Sequence, residues 1–298
     1  MRAVVPPDLD GERLDRIVAR LGGVSRAVAK RMVEEAAATV DGSPADVSTK
    51  VSAGSIVDFV LPEPAPALVP EQVPFTVRYE DPHLAVVDKP AGVVVHPGAG
   101  RTSGTLAAGI LDRWPGVRGV GVDGRWGIVH RLDRDTSGLL VVALDQEAYD
   151  GLREAIRRRA IGRRYLCLVH GTPPAMTGTI EAAIGRDPSR PTRMRVDPSG
   201  RPARTHYRVA SAWARFTLLD VTLDTGRTHQ IRVHLGSIGL PVAGDRTYGR
   251  TDGSPRVFLH AHHLGFVHPV SGVPIESTSP LPDDLAAVVA GLDRPGTG

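Results

Sequence analysis

The densest polar stretch of this sequence lies within Gly127–Ala143, where the residues from His130 to Ser137 are polar except for Leu132 and their flanks are apolar. A loop with such flanks would be fixed at both ends by the core, and functional residues concentrate in loops held this way. Asp133 and Asp135 are its chemically versatile members, because carboxylates act as nucleophiles, acids or bases at sugar carbons. Taken alone, the segment is also typical of a turn stabilised by aspartates that pair with neighbouring arginines.

The elements around this segment do not alternate regularly between strand and helix. Apolar spacing predicts one helix over Gln146–Arg159 and another over Thr228–Ile238, with Gly239 at the C′ position of the second. Strand pairs without an intervening helix favour an α+β fold with a largely antiparallel sheet. The predicted strands are Leu84–Asp88, Leu139–Leu144, Arg164–Val169, Thr205–Ala210 and Phe216–Leu223.

Residues 61–74, LPEPAPALVPEQVP, divide the chain. Prolines recur there too often for a helix or a central strand and favour an extended connector. At roughly 100–200 residues per domain, a chain of 298 residues has room for about two domains. We therefore predict a small domain over residues 1–60, a proline-rich linker over 61–74 and a large domain over 75–298.

The N-terminal segment predicts two short helices followed by a small hairpin. Apolar residues at helical spacing place the first helix over Glu12–Leu21, and the second extends to Val33 with Ser25 as its N-cap. The strand-like segments are Ala38–Asp41 and Ser55–Leu61, with a turn at Gly42-Ser43-Pro44.

The positive charge of the chain is carried almost entirely by arginine. The net charge is only +3, with 36 basic and 33 acidic residues, but Lys30, Lys50 and Lys89 are the only lysines. A guanidinium group fits phosphate bidentately, so this composition is compatible with a nucleic-acid partner, although a GC-rich genome produces the same bias.

The sequence shows no sign of a membrane or an oxidising compartment. No apolar run approaches the roughly 20 residues that cross a bilayer, and the first residues do not resemble a secretory signal. Cys167 is the only cysteine, which excludes an intramolecular disulfide framework. We therefore expect a cytoplasmic protein that acts as a monomer and has no membrane partner.

Several segments resemble those of the RluA/RluD-type pseudouridine synthases, which isomerise uridines mainly in ribosomal RNA. HRLDRDTSG, residues 130–138, is the signature of that family. The other matching segments, in family order, are YEDPHLAVVDKPAGVVVHPG (79–98), RYLCLVHG (164–171), TGRTHQIRVH (225–234), GDRTYG (244–249) and LHA (259–261). The resemblance implies the pseudouridine synthase fold, a mixed and largely antiparallel sheet with flanking helices. The isomerisation involves neither redox change nor hydrolysis, so no cofactor is expected.

The resemblance also implies roles for three residues. It identifies Asp133 as the catalytic aspartate, which would attack the sugar or stabilise its developing positive charge while the uracil turns. It makes Tyr165 the aromatic residue that stacks on the uracil and a candidate general base, although a tyrosine with a pKa near ~10 is a poor base at neutral pH. It makes Arg232 the basic partner of the aspartate, since a close opposite charge favours an ionised carboxylate.

Arginines near these residues are candidates for contacts to RNA. The target base must leave its stack before a carboxylate can reach it, and enzymes of this kind cover the resulting gap with side chains. Arg131 and Arg134, which flank Asp133, are placed to fill that gap or to hold a phosphate. Arg227, near the start of a predicted helix, is a further candidate for a phosphate contact.

The N-terminal segment resembles the S-four-type (alpha-L) RNA-binding domain, a small α/β domain. The residues that carry the resemblance are Arg13-Leu-Asp-Arg16, Ser25-Arg26, Lys30-Arg31, Val40-Asp-Gly42, Val51 and Gly54. Phosphates would bind along one helical edge formed by Arg16, Arg26, Lys30 and Arg31.

Other functions stay open at this point. The main hypothesis is modification of large-subunit ribosomal RNA, with transfer RNA as the substrate of closely related branches. The chain could also be a non-catalytic ribosome-binding factor, or a sugar hydrolase that uses Asp133 and Asp135 as a pair. A metal site at the histidines His260, His262, His263 and His268 is not expected. Strand alternation would place His263 on the face opposite His260 and His262, no carboxylate or cysteine nearby completes a ligand set, and Pro269 interrupts the segment.

Overall fold

The computed structural model describes residues 1–24, 26–61, 68–98, 102–122 and 124–292, with the side chain of Ala27 left out. The chain divides into two compact units, Met1–Leu68 and Val69–Gly298. The predicted N-cap Ser25 and residues 62–67 of the predicted linker lie outside the described residues. Among the helices that are described, none combines the length and the apolar character needed to cross a membrane.

The N-terminal unit is built from two helices and a set of short strands. In chain order they are β1 (Arg2–Val4), β2 (Glu12–Arg13), α1 (Leu14–Gly22), α2 (Arg26–Glu34), β3 (Ala38–Val40), β4 (Ser43–Pro44), β5 (Lys50–Val51) and β6 (Ile56–Phe59). Strands β1, β6, β3 and β4 form a sheet in that order, and β2 pairs with β5. The buried apolar face of α1, with Ile17 and Val18, belongs to the same core as Val57 and Phe59 of β6.

Two boundaries in this unit differ from the predictions. Helix α1 begins at Leu14 rather than at Glu12, because Glu12 and Arg13 pair with β5 as strand residues. The turn between β3 and β4 lies at Asp41-Gly42, where both φ angles are positive, as a two-residue hairpin turn requires. Ser43 and Pro44, predicted to be turn residues, therefore belong to β4.

The C-terminal unit contains a large sheet with helices. Its elements are β7 (Thr76–Glu80), β8 (Leu84–Lys89), α3 (Leu106–Arg113), β9 (Ser137–Ala143), α4 (Gln146–Arg157), β10 (Gly162–His170), β11 (Thr177–Glu181), β12 (Ile184–Arg186), β13 (Met194–Val196), β14 (Arg204–Ala212), β15 (Phe216–Leu223), α5 (Gln230–Ser237), β16 (Leu259–Val267), β17 (Pro274–Thr278) and α6 (Asp283–Ala290). Within the described residues the sheet has nine strands, in the order β11-β14-β15-β10-β16-β9-β8-β7, with β17 paired to β16 beside this path.

The predicted fold class is confirmed. All neighbouring strands of the large sheet are antiparallel except β9 and β16, which run parallel through His260–Ser137 and Ala261–Gly138. The predicted strand over Phe216–Leu223 has the bounds of β15. The second predicted helix begins later than expected, at Gln230, because His229 before it adopts a left-handed conformation with φ +56°.

The parallel contact fixes one end of the HRLDRDTSG segment. Gly138 has φ +115°, and a Cβ atom there would overlap the backbone of Ala261 in β16. Only glycine allows the two backbones this approach. The last residues of the segment are therefore attached to the sheet.

Candidate active site

The segment from His130 to Ser137 is a loop anchored by hydrogen bonds on both sides. Before the loop's acidic residues, the His130 ring accepts a hydrogen bond at Nε2 from the Val141 backbone N–H, at 3.1 Å. After them, Arg256 donates to the Asp135 carbonyl at 3.2 Å and to the Ser137 hydroxyl at 3.1 Å. These contacts limit the positions that the loop's side chains can adopt.

Lys89, at the end of β8, ties the same loop to the segment that follows β8. Its side chain is fully buried and its Nζ donates to the carbonyls of Pro90, Val93 and Arg134 at 2.8, 2.9 and 3.0 Å. Burial lowers the pKa of Lys89 to about 7, against the opposing effect of nearby Asp135. Three carbonyl oxygens match the three N–H donors of the ammonium, so Lys89 connects the two loops by hydrogen bonds.

Substitution of Lys89 tests how much this side chain contributes to the stability of the protein. Lys89→Met keeps much of the side-chain volume but leaves three carbonyl oxygens without their donor, which costs about 2–4 kcal/mol in the free energy of unfolding. Urea unfolding measures the loss, and the exposed Lys50→Met serves as the control. Equal stability of the two variants would show that the loop does not depend on Lys89.

A cleft of about 560 Å³ opens beside the loop, within the size range of small-molecule sites. It brings together Asp133, Tyr165, Arg232, Arg131 and Arg227. Seven arginines and two aspartates line it, so its surface is strongly positive.

Arg134 and Asp135 are not brought into this cleft. They pair with each other instead, through two hydrogen bonds of 3.0 Å. The loop therefore separates Arg131 from Arg134, although both flank Asp133 in the sequence. The arrangement also argues against a hydrolase that uses Asp133 and Asp135 together, since such a pair must face one cleft.

Arg232 of α5 joins two carboxylates below the cleft. It is buried and donates to Asp245 through Nε at 2.7 Å and Nη2 at 2.9 Å. Its Nη1 donates to Asp133 Oδ2 at 3.4 Å. The guanidinium also lies over the Tyr248 ring, 5.0 Å from its centroid. Arg232 is thus fixed on one side and directed at Asp133 on the other.

Asp245 is the residue of this network to which the sequence analysis gave no role. It is fully enclosed and also accepts the backbone N–H groups of Thr247 and Tyr248, at 2.9 and 3.1 Å. Burial pushes its pKa up, but hydrogen bonds from Arg232 and these amides hold the pKa below its usual value. The signal in the sequence that could have identified Asp245 was its position in the GDRTYG segment, which matches the family.

His229 is a second neighbour of Asp133 that the sequence analysis did not single out. Its Nε2 lies 4.0 Å from Asp133 Oδ2, and its Nδ1 lies 2.8 Å from the Tyr248 hydroxyl. Burial lowers the pKa of His229, which favours the neutral ring at pH 7. The uncommon left-handed backbone of His229 turns the chain into α5 at this point.

Tyr165 lies in the middle of the sheet. On β10 it is opposite Val221 of β15 and Ala261 of β16, and its side chain is buried at the cleft. Burial raises the pKa of Tyr165, so its phenol stays protonated at neutral pH. In this position Tyr165 is better suited to stack its ring on a nucleobase than to act as an ionised phenolate.

Arg227 lies just before α5 and is held from two sides. Its Nε donates to the Pro202 carbonyl at 3.2 Å, and its backbone N–H donates to Gln230 Oε1 at 3.0 Å. Burial and the neighbouring Arg201 and Arg159 lower the pKa of Arg227. Such a concentration of guanidinium groups favours an anion at this side of the cleft.

The predicted RNA contacts of the N-terminal unit are all more than half exposed in their side chains, and each has an acidic neighbour. Arg26 donates to the buried Asp15 at 2.9 Å, and Arg16 pairs with Glu12 at 2.8 Å. The longer ion pairs are Lys30–Glu34 at 3.4 Å and Arg31–Glu35 at 3.8 Å. The pairs of Arg16, Lys30 and Arg31 lie at the surface and are weak, so these three side chains can exchange a carboxylate for a phosphate, whereas Arg26 is held by a buried carboxylate.

The histidines of β16 have separate partners. His260 Nδ1 lies 2.9 Å from the Ser137 hydroxyl, His262 contacts Asp220, and His263 pairs with Glu276. Across the described ranges, no group of three or more His, Cys, Asp or Glu residues could hold a metal ion.

Two enclosed histidines make stability depend on pH. Burial lowers the pKa of His130 to about 3 and that of His96 to about 4. Below pH ~6.5 the unfolded chain binds protons that the folded state refuses, so each histidine lowers the free energy of unfolding by about 1.4 kcal/mol per pH unit. The loss begins near pH 6.5 and grows on acidification.

Urea unfolding at pH 6.5, 5.5 and 4.5 measures this slope. In His130→Gln, whose amide oxygen can still accept from Val141, we expect a slope smaller by about 1.4 kcal/mol per pH unit. The same slope in both proteins would refute the assignment.

Comparisons with known proteins show the family of this chain. Residues 83–237 match the family described as RNA pseudouridylate synthase, and residues 12–57 match the S4 domain. An uncharacterized RNA pseudouridine synthase of Chloroflexus aurantiacus is 47% identical over 97% of this chain and 92% of its own. Ribosomal large subunit pseudouridine synthase D of Nitrosomonas europaea is 44% identical over 97% of this chain and 86% of its own.

A solved structure shows the same fold. Human RNA Pseudouridylate Synthase Domain Containing 1 superimposes with a TM-score of 0.58 at 27% identity, covering 76% of this chain and 98% of that chain. The chain belongs to the RNA pseudouridine synthase family and carries an S4 domain near its N-terminus.

Proposed function

We propose that this enzyme converts specific uridines of large-subunit ribosomal RNA into pseudouridine, with Asp133 as its catalytic carboxylate. The observation that carries the proposal is the contact between Asp133 and the buried Arg232 at the floor of a positively charged cleft. The name of the Nitrosomonas europaea relative supports ribosomal RNA of the large subunit as the substrate. Such a substrate also supports a cytoplasmic location.

The isomerisation of uridine requires few catalytic groups. The bond between the ribose and nitrogen 1 of the uracil breaks, the base turns, and carbon 5 bonds to the ribose in its place. Asp133 attacks the sugar or stabilises its positive charge during this exchange. Carbon 5 then loses a proton and nitrogen 1 gains one, so the reaction is balanced without a cofactor or a metal.

Other residues of the cleft are proposed to bind and orient the nucleotide. Tyr165 stacks on the uracil, and its hydroxyl is the candidate group for taking the proton from carbon 5. Because burial raises the pKa of Tyr165, that step requires the bound substrate to change the tyrosine's surroundings. Arg131 fills the gap left by the extruded base, and Arg227 holds a phosphate at the side of the cleft. Arg134, paired with Asp135, contacts RNA only outside the cleft.

The division of labour along the chain is part of the proposal. Residues 1–60 would bind RNA, residues 61–74 would connect the two parts, and residues 75–298 would carry out catalysis. The exposed arginines and the lysine described for the N-terminal unit support the first assignment, because exposed cations in a small helical domain attract phosphates.

The central test is an assay with matched aspartate variants. The wild-type protein, Asp133→Asn and Asp135→Asn are each incubated with unmodified large-subunit ribosomal RNA, and pseudouridine is mapped and quantified. We expect product from the wild type and from Asp135→Asn, and none from Asp133→Asn, because of these two aspartates only Asp133 faces the cleft. Transfer RNA transcripts form a second arm.

Each of the other outcomes has a clear meaning. Pseudouridine formed only in transfer RNA would show that transfer RNA, and not ribosomal RNA, is the substrate. Binding of ribosomal RNA without pseudouridine formation would indicate a non-catalytic factor. Equal activity of Asp133→Asn and the wild type would remove Asp133 from the mechanism.

Stacking by Tyr165 is tested by RNA affinity in the Asp133→Asn background, where no turnover disturbs the equilibrium. Tyr165→Phe keeps the aromatic face and should change the Kd of the target RNA by less than twofold. Tyr165→Ala removes it and should raise the Kd by about 5- to 150-fold, as expected for the loss of one stacked base. Similar Kd values for the Phe and Ala variants would refute stacking.

A further inference from the structure

Arg163 differs from the other buried basic side chains of the described residues. Apart from histidines, those side chains are Lys89, Arg163 and Arg232. Lys89 donates to three carbonyls, and Arg232 has two carboxylate partners. Arg163 is only 8% exposed, and its Nε is sealed from solvent without a hydrogen-bond partner. It forms no ion pair with any residue that the structure describes, so its guanidinium lacks a direct carboxylate partner.

The position of Arg163 connects it with the reacting base. It lies on β10 two residues before Tyr165, so both side chains face the same side of the sheet, and both line the cleft. The Nη1 end of its guanidinium lies close to Gly226, in the loop before α5, because a Cβ atom added to Gly226 would be 3.0 Å from Nη1. The side chain is thus held between a strand and a loop at the wall of the cleft.

A buried cation without a partner is unfavourable, and an anion that enters the cleft would offset its cost. Among the residues that the structure describes, no carboxylate pairs with Arg163 at this point. Of the two aspartates that line the cleft, Asp133 contacts Arg232, and Asp224 lies within reach of Arg159, Arg204 and His206. The substrate brings phosphates, whereas the carbonyls of uracil are neutral and cannot compensate a full charge.

We propose that Arg163 binds a backbone phosphate flanking the target uridine and so positions that nucleotide between Tyr165 and Asp133. This inference rests on the proposed function. The planar guanidinium can present two N–H groups to two phosphate oxygens, which orients the nucleotide as well as attracting it. Arg163 is therefore a substrate-binding residue, separate from Arg131 and Arg227 at other parts of the cleft.

The test combines protein and RNA variants after the modified uridine has been mapped with the wild-type enzyme. Short RNAs carrying that uridine are made with a neutral methylphosphonate at one or the other flanking phosphate. Single-turnover rates at subsaturating enzyme then give kcat/KM for wild type and for Arg163→Gln. Arg118→Gln, an exposed arginine outside the cleft, is the control for loss of one positive charge.

We expect Arg163→Gln to lose about 10- to 100-fold in kcat/KM on natural RNA, the loss of one charge-assisted contact, while Arg118→Gln stays within about twofold of wild type. At one flanking position, the methylphosphonate should slow the wild type by a similar factor and Arg163→Gln by less than about twofold, since the contact is already lost. Arg163→Lys keeps the positive charge but not the planar guanidinium, so its kcat/KM on natural RNA should lie between those of wild type and Arg163→Gln. It takes the place of the Gln variant if thermal unfolding shows that Arg163→Gln does not fold.

Equal sensitivity of the two proteins to both methylphosphonates would overturn the phosphate assignment, and wild-type rates for Arg163→Gln would overturn any role for Arg163 in binding. No pseudouridine from the wild-type enzyme would overturn the proposed function itself and, with it, this inference.

Discussion

The site depends on the buried guanidinium of Arg232. An arginine removed from water needs a partner that satisfies its charge and its donors, and Asp245 supplies it with two hydrogen bonds from a fully enclosed position. One edge of the group is left for Asp133, 3.4 Å away. Asp245 therefore determines where the positive charge lies, and the positive charge determines where the Asp133 carboxylate is most stable.

This arrangement requires the loop that carries Asp133 to be as well fixed as the arginine. The loop has no regular secondary structure, so its position comes from donors outside it: Lys89 and Arg256 bond its carbonyls. Gly138 then allows the chain to approach β16 backbone to backbone. Asp133 of this loop and Arg232 of α5 both line the cleft, where the remaining arginines surround a space that an RNA nucleotide could fill.

The sequence could predict the elements that repeat a simple pattern. The apolar run of Phe216–Leu223 gave the bounds of β15, and the irregular order of strands and helices gave the α+β class. The alternation of His260, His262 and His263 indicated a strand at β16 but not its bounds, because the histidines obscure the apolar pattern by which the other strands were delimited. The start of α5 was misplaced because apolar spacing does not register the left-handed backbone at His229.

The same limit applies to the site. The HRLDRDTSG segment around Asp133 pointed to residues of the cleft, but it did not show which of the two flanking arginines enters the cleft. That choice depends on the ion pair between Arg134 and Asp135. The particular importance of Asp245 and Arg163 arises from burial and from partners present or missing in three dimensions, which spacing along the chain does not reveal.

The most direct measurement is the single-turnover rate of Asp245→Asn on RNA that contains the mapped uridine, at saturating enzyme and at a temperature where the variant is folded. Asp245 does not line the cleft, and Arg232 is the side chain to which its carboxylate bonds among the described residues; an asparagine oxygen can still accept from the Thr247 and Tyr248 amides. If Arg232 positions Asp133, the rate of the chemical step falls by about 100-fold while the Kd for RNA stays within about threefold of wild type. A wild-type rate in folded Asp245→Asn would contradict the account.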